Sequence, residues 1–195
     1  MSEKLVKKIK KEAFRLGFTL VGITTPEPPP HLSTYESWLD AGRYASMHYL
    51  ADERARSRRA DPRLILPECQ SILVLAAPYA DPKAAEAFEP HPPRGRVASY
   101  AWGDDYHLVL PEKLKTLIAF IEEQVEHPIP NRWYTDTGPI LERDLGQRAG
   151  LGWIGKNTCL INPKQGSTFF LAEILLGIEL PPDFPFETDH CGTCT

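Results

Sequence analysis

The chain has 195 residues, with 22 Lys+Arg against 26 Asp+Glu for a formal net charge of −4, and 42 % of it is hydrophobic. That is enough apolar matter for one globular core. The 19 prolines and 13 glycines together stay below the ~25–30 % of a low-complexity chain, so collagen-like, coiled-coil and disordered classes are excluded.

Leu5, Ile9 and Ala13 recur at i+4, with Val6 and Phe14 beside them, and predict a helix from Glu3 to Leu16. Phe18–Thr24 reads as a strand, stopped by Pro26, Pro28, Pro29 and Pro30 because proline cannot donate to a sheet ladder. Ser33-Thr34-Tyr35-Glu36 has the spacing of a capping box before a helix carrying Trp38 and Leu39. Ser71–Ala76 is an apolar run with the character of a central strand. A proline-punctuated loop follows through Pro78, Pro82, Pro90, Pro92 and Pro93 to Gly95. Pro111 suits the first turn of a helix holding Leu114, Leu117, Ile118, Ile121 and Val125, ended before Pro128. Arg132–Thr135 reads as a short strand leading to Asp136, and Pro139–Arg148 as a helix stopped at Gly150. Thr158–Ile161 and Thr168–Leu176 read as extended.

The elements mix without the regular β-α-β spacing of a doubly wound sheet, and no internal repeat is visible. The expected fold class is α+β, a mainly antiparallel or mixed sheet with flanking helices. The longest apolar stretch, Ile72–Pro78, is far shorter than the ~20 residues of a membrane-spanning helix. The N-terminus lacks the apolar core of a signal peptide, and two of the four cysteines crowd at the last residues rather than forming an extracellular framework. No membrane association and a cytoplasmic location are expected.

Several residues invite chemistry. Cys191 and Cys194 have C-x-x-C spacing, which brings two thiolates to one metal or cluster, or makes a free or redox pair. Two ligands do not complete a site. Asp136 sits between a strand and a helix, where a helix cap is the plain reading, and a proton donor the alternative if its surroundings are apolar. Gly150, Gly152 and Gly155 would let the backbone approach a flat ligand, although no dinucleotide-binding fingerprint is present. Arg59, in the basic stretch Arg54–Arg63, reads by itself as a solvated arginine. Arg143 can pair with Glu142 or Asp144 on a helix surface. Trp102 and Trp153 read as core residues before pocket walls, and Cys69 and Cys159 as small buried hydrophobes.

Asp136-Thr137-Gly138-Pro139-Ile140-Leu141-Glu142-Arg143, followed by Arg148-Ala149-Gly150-Leu151-Gly152-Trp153-Ile154-Gly155-Lys156-Asn157-Thr158, resembles the signature of the epoxyqueuosine reductases. Arg59-Ala60-Asp61-Pro62-Arg63 and Ser99-Tyr100-Ala101-Trp102-Gly103-Asp104-Asp105-Tyr106-His107 add to the resemblance, which covers nearly the whole chain.

The resemblance implies an oxidoreductase that reduces epoxyqueuosine to queuosine in tRNA, the last step of queuosine biosynthesis, with cob(I)alamin as nucleophile and reductant. It implies a cobalamin-binding domain over residues 1–180, similar to that of reductive dehalogenases. Residues 181–195 would begin a truncated ferredoxin-like domain, which in such enzymes carries two four-iron–four-sulfur clusters. The implied proton donor is Asp136, and burial against corrin and substrate would favour its neutral acid. The implied cobalamin contacts are Arg59, Tyr100, Ala101, Asp136, Arg143, Asn157, Gly166 and Ser167, with Arg59 toward the nucleotide-loop phosphate. Cys191 and Cys194 match the first two ligands of the first cluster. No protein histidine is required on cobalt, so His107 and His190 are not assigned to it; His107 is expected to pack or hydrogen-bond within its own Asp-Tyr-His segment. Implied partners are tRNA bearing epoxyqueuosine at the wobble position and an electron donor, for a monomer. The fragment alone is expected to be inactive. A non-catalytic cobalamin-binding module and a flavin-binding nitroreductase-like protein are the alternatives.

Overall fold

In the computed structural model, residues 3–79, 95 and 97–192 are described. Helix α1 (Glu3–Arg15) buries Leu5, Ile9 and Ala13, the stripe its sequence spacing lays on one face. The helices that follow are α2 (Leu32–Asp40), α3 (His48–Ala51), α4 (Glu53–Ala60), α5 (Tyr106–Val125) and α6 (Glu142–Arg148). The strands are β1 (Leu20–Thr24), β2 (Ser71–Pro78), β3 (Asn131–Tyr134), β4 (Trp153–Ile154), β5 (Leu160–Ile161) and β6 (Phe169–Leu176).

Four strands pair in the order β1-β2-β6-β3, every pair antiparallel, and β4-β5 form a separate hairpin. The expected α+β class holds, with an antiparallel sheet. Alternation along β2 explains its unbroken apolar sequence. Leu73, Leu75 and Ala77 face one core with α1 and with Leu110, Leu114, Leu117 and Ile121 of α5. Ile72, Val74 and Ala76 face a second core with Leu145 of α6, Ala149 at its C-terminal cap and Leu160 of β5. Each fully buried Leu or Ile contributes about 1.5–3 kcal/mol.

Three boundary expectations are corrected. Helix α2 starts at Leu32, so Ser33 and Glu36 lie inside it rather than forming a capping box, and its N-cap His31 makes no side-chain cap bond. His31 is held instead by the buried Asp144, which accepts from its backbone N–H at 3.1 Å and from Nδ1 at 2.5 Å. Pro111 lies within α5, not in its first turn, because Asp105 caps the helix earlier by accepting from the His107 N–H at 2.9 Å. The helix expected over 139–148 begins only at Glu142; before it, Thr137 N–H bonds Thr135 O at 2.6 Å in a tight turn. The proline loop, apart from Pro78, Tyr79 and Gly95, lies outside the described residues.

Arg148 ties the proline-rich segment after β1 onto α6, donating to Thr24 Oγ1 at 3.2 Å, Glu27 O at 2.6 Å, Pro28 O at 3.1 Å and Thr25 O. Residues 179–192 carry no helix or strand. They run over the surface, fixed where Asp183 accepts from Lys10 at 2.5 Å and from the Ile23 N–H at 2.8 Å. Among the described residues, no helix is long and apolar enough to cross a membrane.

Candidate active site

The turn after β3 presents Asp136. Its backbone is left-handed, φ 60°, a conformation non-glycine residues adopt only when held there. Three neighbours hold it. The Asp136 N–H donates to Glu142 Oε1 at 2.8 Å, Tyr106 OH donates to Asp136 Oδ2 at 2.7 Å, and His107 Nε2 lies 3.6 Å from the same oxygen. Asp136 is therefore not the helix cap that its position alone suggested; that place belongs to Leu141. Its side chain is 63 % exposed, so the protein by itself does not supply the burial expected around it.

Tyr106 and His107 begin α5, where Asp105 accepts from both the His107 N–H and Nδ1, the latter at 2.8 Å. A carboxylate oxygen only accepts, so Nδ1 carries the proton and Nε2 faces Asp136. Burial, then the hydrogen bond to Asp136, pushes the Tyr106 phenol upward, keeping it a donor at neutral pH. Tyr106 stacks on Phe170 with ring centres 4.0 Å apart, Phe170 lies against Tyr79 at 4.7 Å, and Tyr79 meets Tyr100 edge-on at 6.3 Å. An aromatic wall thus runs from Tyr100 to Asp136, with Tyr100 55 % and Trp102 48 % exposed. Trp102 is not a core residue; Trp153 is, at 9 %.

Behind Asp136 lies a carboxyl pair. Glu173 of β6 is fully buried and neither of its oxygens meets a protein hydrogen-bond donor. Its neighbour is the carboxyl of the partly buried Glu142, at the start of α6. Loss of hydration pushes Glu142 up to about 7, with the Asp136 charge adding to it, and pushes Glu173 well above the ordinary carboxyl range, with the Glu142 charge adding to that. Neither residue follows from motif spacing, although Glu173 is the one charge in the strand Phe169–Leu176.

Arg59 is buried at 8 % exposure, contrary to the solvated reading. Its guanidinium sits 5.6 Å above the Tyr35 ring and donates to Ala55 O at 3.3 Å; among the described residues no carboxylate is within ion-pair distance. A buried cation so poorly paired is costly without a further anion. Arg143 is exposed and forms no described ion pair with Glu142 or Asp144. Asn157 is exposed on the β4-β5 turn, where its Oδ1 accepts from the Cys159 N–H at 3.1 Å. Gly166 closes a bridge with Asn162 at φ 68°, and Ser167 beside it is half-buried. Tyr100 and Ala101 lie in a short 3-10 turn. Tyr79 and Tyr100 link that turn to the Asp136 side, whereas Asn157, Gly166 and Ser167 form no described contact with Asp136.

The glycines expected to admit a ligand serve internal packing. A Cβ at Gly152 would stand 2.1 Å from Ile161 O, and Gly150 has φ 79° with Phe184 O 2.7 Å from its Cβ position. Cys69 is buried, with its thiol pushed up to about 11 by loss of hydration, and Cys159 is only partly buried. Cys191 is half-buried and Trp153 Nε1 donates to its Sγ at 3.4 Å. Cys194 lies outside the described residues, among which no group of three or more His, Cys, Asp or Glu could hold a metal. The described donors therefore do not complete an iron–sulfur site.

A sequence model of the family described as "Epoxyqueuosine reductase QueG, DUF1730" matches residues 59–137. The epoxyqueuosine reductase of Aliivibrio fischeri is 40 % identical over 194 residues, 99 % of this chain and 51 % of that protein. Over the portion it spans, the chain is similar to the epoxyqueuosine reductases. That portion is about half the length of the curated relatives it matches. An epoxyqueuosine reductase solved with an epoxyqueuosine-modified tRNA-Tyr stem loop superposes with a TM-score of 0.80 at 30 % identity, covering 98 % of this chain and 50 % of the other. The Bacillus subtilis enzyme, solved with its catalytic Asp loop swung out of the active site, superposes at 0.77 with 29 % identity and the same coverage. A reductive dehalogenase shares the fold at 0.52 with 18 % identity, over 94 % of this chain and 21 % of that one.

Proposed function

We propose that this chain is the cobalamin-binding catalytic part of an epoxyqueuosine reductase acting on tRNA with epoxyqueuosine at the wobble position. The observation that carries the reading is Asp136, held out at the end of the aromatic wall by Tyr106 and Glu142, in the segment that carries the resemblance. Opening an epoxide leaves an alkoxide that needs a proton, and an exposed carboxyl at a rigidly held turn is suited to deliver one once a ligand covers it. The Bacillus subtilis enzyme is described as having an Asp catalytic loop, which agrees with an aspartate turn in this role.

The chain's residues fit cobalamin in two respects. The poorly paired Arg59 guanidinium suits the phosphate of the nucleotide loop, and the exposed Tyr100 and Trp102 offer apolar surface to a corrin. Arg143, Asn157 and the Gly166-Ser167 turn would supply polar groups for the amide fringe, with Ala101 beside Tyr100. Bound and reduced, cobalamin supplies the nucleophile and the electrons. Asp136 holds the proton at Oδ1 or Oδ2, Tyr106 fixes the carboxyl's orientation, and His107 stands beside it with Nε2 inward. The name of the dehalogenase neighbour, which refers to B12-dependent dehalogenation, agrees with this cofactor.

The iron–sulfur reading, with Cys191 and Cys194 as two ligands, needs further ligands from outside these residues. The division into 1–180 and 181–195, the external electron donor, the monomeric state and the cytoplasmic location belong to this same proposal. Mixing the purified chain with cobalamin and recording its visible spectrum tests the binding. A base-off cobalamin spectrum supports it, and absence of corrin uptake rejects it. Turnover is tested with reduced cobalamin and an epoxyqueuosine-bearing anticodon stem loop.

A further inference from the structure

Glu173 lies on an inner strand of the sheet, opposite Val74 of β2 and Tyr134 of β3, on the side that faces α6. It is fully buried, and both of its oxygens lack a protein donor. Ionised carboxylates are not left in such a place without a partner. The group beside it is the Glu142 carboxyl. Two carboxyls make a hydrogen bond only when a proton lies between them. Glu142 Oε1 is at the same time the acceptor of the Asp136 N–H at 2.8 Å. One chain of contacts therefore runs from the sheet interior, through Glu173 and Glu142, to the peptide that carries Asp136 in its left-handed conformation.

We propose that Glu142 and Glu173 share a single proton and together position Asp136, Glu173 donating to Glu142 while Glu142 accepts the Asp136 N–H; the catalytic meaning of this positioning rests on the reading of Asp136 given above. The charged groups facing the pair are Asp136 from the β3 turn, Arg143 from α6 and Arg59 from α4. The two arginines favour an ionised Glu142, Asp136 opposes it, and the burial of Glu173 keeps the proton on the inner carboxyl. When both carboxyls ionise their repulsion drives Glu142 from its place, and the Asp136 N–H loses its acceptor.

Hydrogen exchange at the Asp136 amide, corrected for intrinsic rates, and the infrared carbonyl band of a protonated carboxyl together test this in the full chain. The unaltered chain shows the carboxylic-acid band at neutral pH, and its Asp136 amide protection falls about tenfold, the worth of one hydrogen bond, as the pair ionises. Glu173→Gln retains a donor toward Glu142, so the protection stays and its pH dependence disappears. Glu142→Gln retains the acceptor and keeps the protection; Glu142→Ala loses it. Asp136→Asn leaves its own peptide N–H in place and retains the protection even though turnover ends. That separates this inference from the proton-donor reading, which fails instead if Asp136→Asn turns over normally. Absence of the carboxylic-acid band, or an unchanged pH dependence in Glu173→Gln, overturns the shared proton. Retained protection in Glu142→Ala overturns the positioning.

Discussion

Tyr106 OH donates to Asp136 Oδ2 at 2.7 Å, joining the first turn of α5 to the turn after β3 across 30 residues of sequence. Because Tyr106 is itself pressed between Phe170 and His107, the donor is fixed before any ligand arrives. Tyr106→Phe therefore lowers the maximal rate by about tenfold, the worth of one hydrogen bond, as the carboxyl loses its orientation. A single-turnover rate in the variant equal to the parent's would count against Tyr106 as a partner of the reacting carboxyl.

Asp136→Asn keeps the size of the side chain and removes the acid. Turnover on the epoxyqueuosine stem loop falls by about 10²–10⁴, the usual worth of a positioned acid. Cobalamin uptake, followed by visible spectroscopy, stays as in the parent chain. Equal turnover of the two proteins would remove Asp136 from the chemistry.

Arg59 carries a buried charge whose described protein partners are a carbonyl and an aromatic ring. Arg59→Met removes that burden while roughly keeping the packing, so the apo protein melts no lower than its parent. Cobalamin affinity falls by roughly 10- to 100-fold, the loss of a charged hydrogen bond to phosphate. Calorimetric titration with cobalamin measures it, and the comparison with cobinamide, which lacks the nucleotide loop, isolates the phosphate: the variant and the parent bind cobinamide alike.

The Glu142–Glu173 pair also has a stability signature. Both groups have folded-state pKa values above their unfolded values, Glu142 at about 7. Their contribution is complete below the unfolded carboxyl range and is lost as pH rises through the folded values. Glu173→Gln removes the rising burden, so its melting temperature exceeds the parent's at pH 8 and the difference shrinks toward pH 4. Melting curves that run parallel across this range would contradict the assignment.

Gly152 packs its backbone against β5, with Ile161 O 2.1 Å from where a Cβ would stand. Gly152→Ala forces β4 and β5 apart at a cost of about 1–3 kcal/mol. A chain of this length then melts some 2–12 °C lower, at roughly 2–4 °C per kcal/mol. Thermal denaturation followed by circular dichroism checks it; an unchanged midpoint would mean that the hairpin is free to shift.

The order of elements was legible because local signals carry it. The i+4 stripe of α1, the alternation hidden in Ser71–Ala76 and the proline stops are each properties of a few neighbouring residues. The errors fell where a distant group decided the outcome. The spacing Ser33 to Glu36 resembled a cap, but Asp144, more than a hundred residues away, holds the start of α2 through His31. Arg59 stood in a basic run that looked solvated, and the fold buried it.

The sequence by itself determined the class of fold, the family signature and the prominence of Asp136, with a composition and charge fitted to one globular core. Those follow from composition, periodicity and a motif contiguous along the chain. Only the tertiary structure decided that Tyr106, His107, Glu142 and Glu173 surround or support Asp136. Pairing β3 with β6 puts Glu173 behind the turn, and the register of an antiparallel sheet chooses which face each side chain takes. No local pattern announces that a single carboxyl in an apolar strand will meet another at the start of a helix.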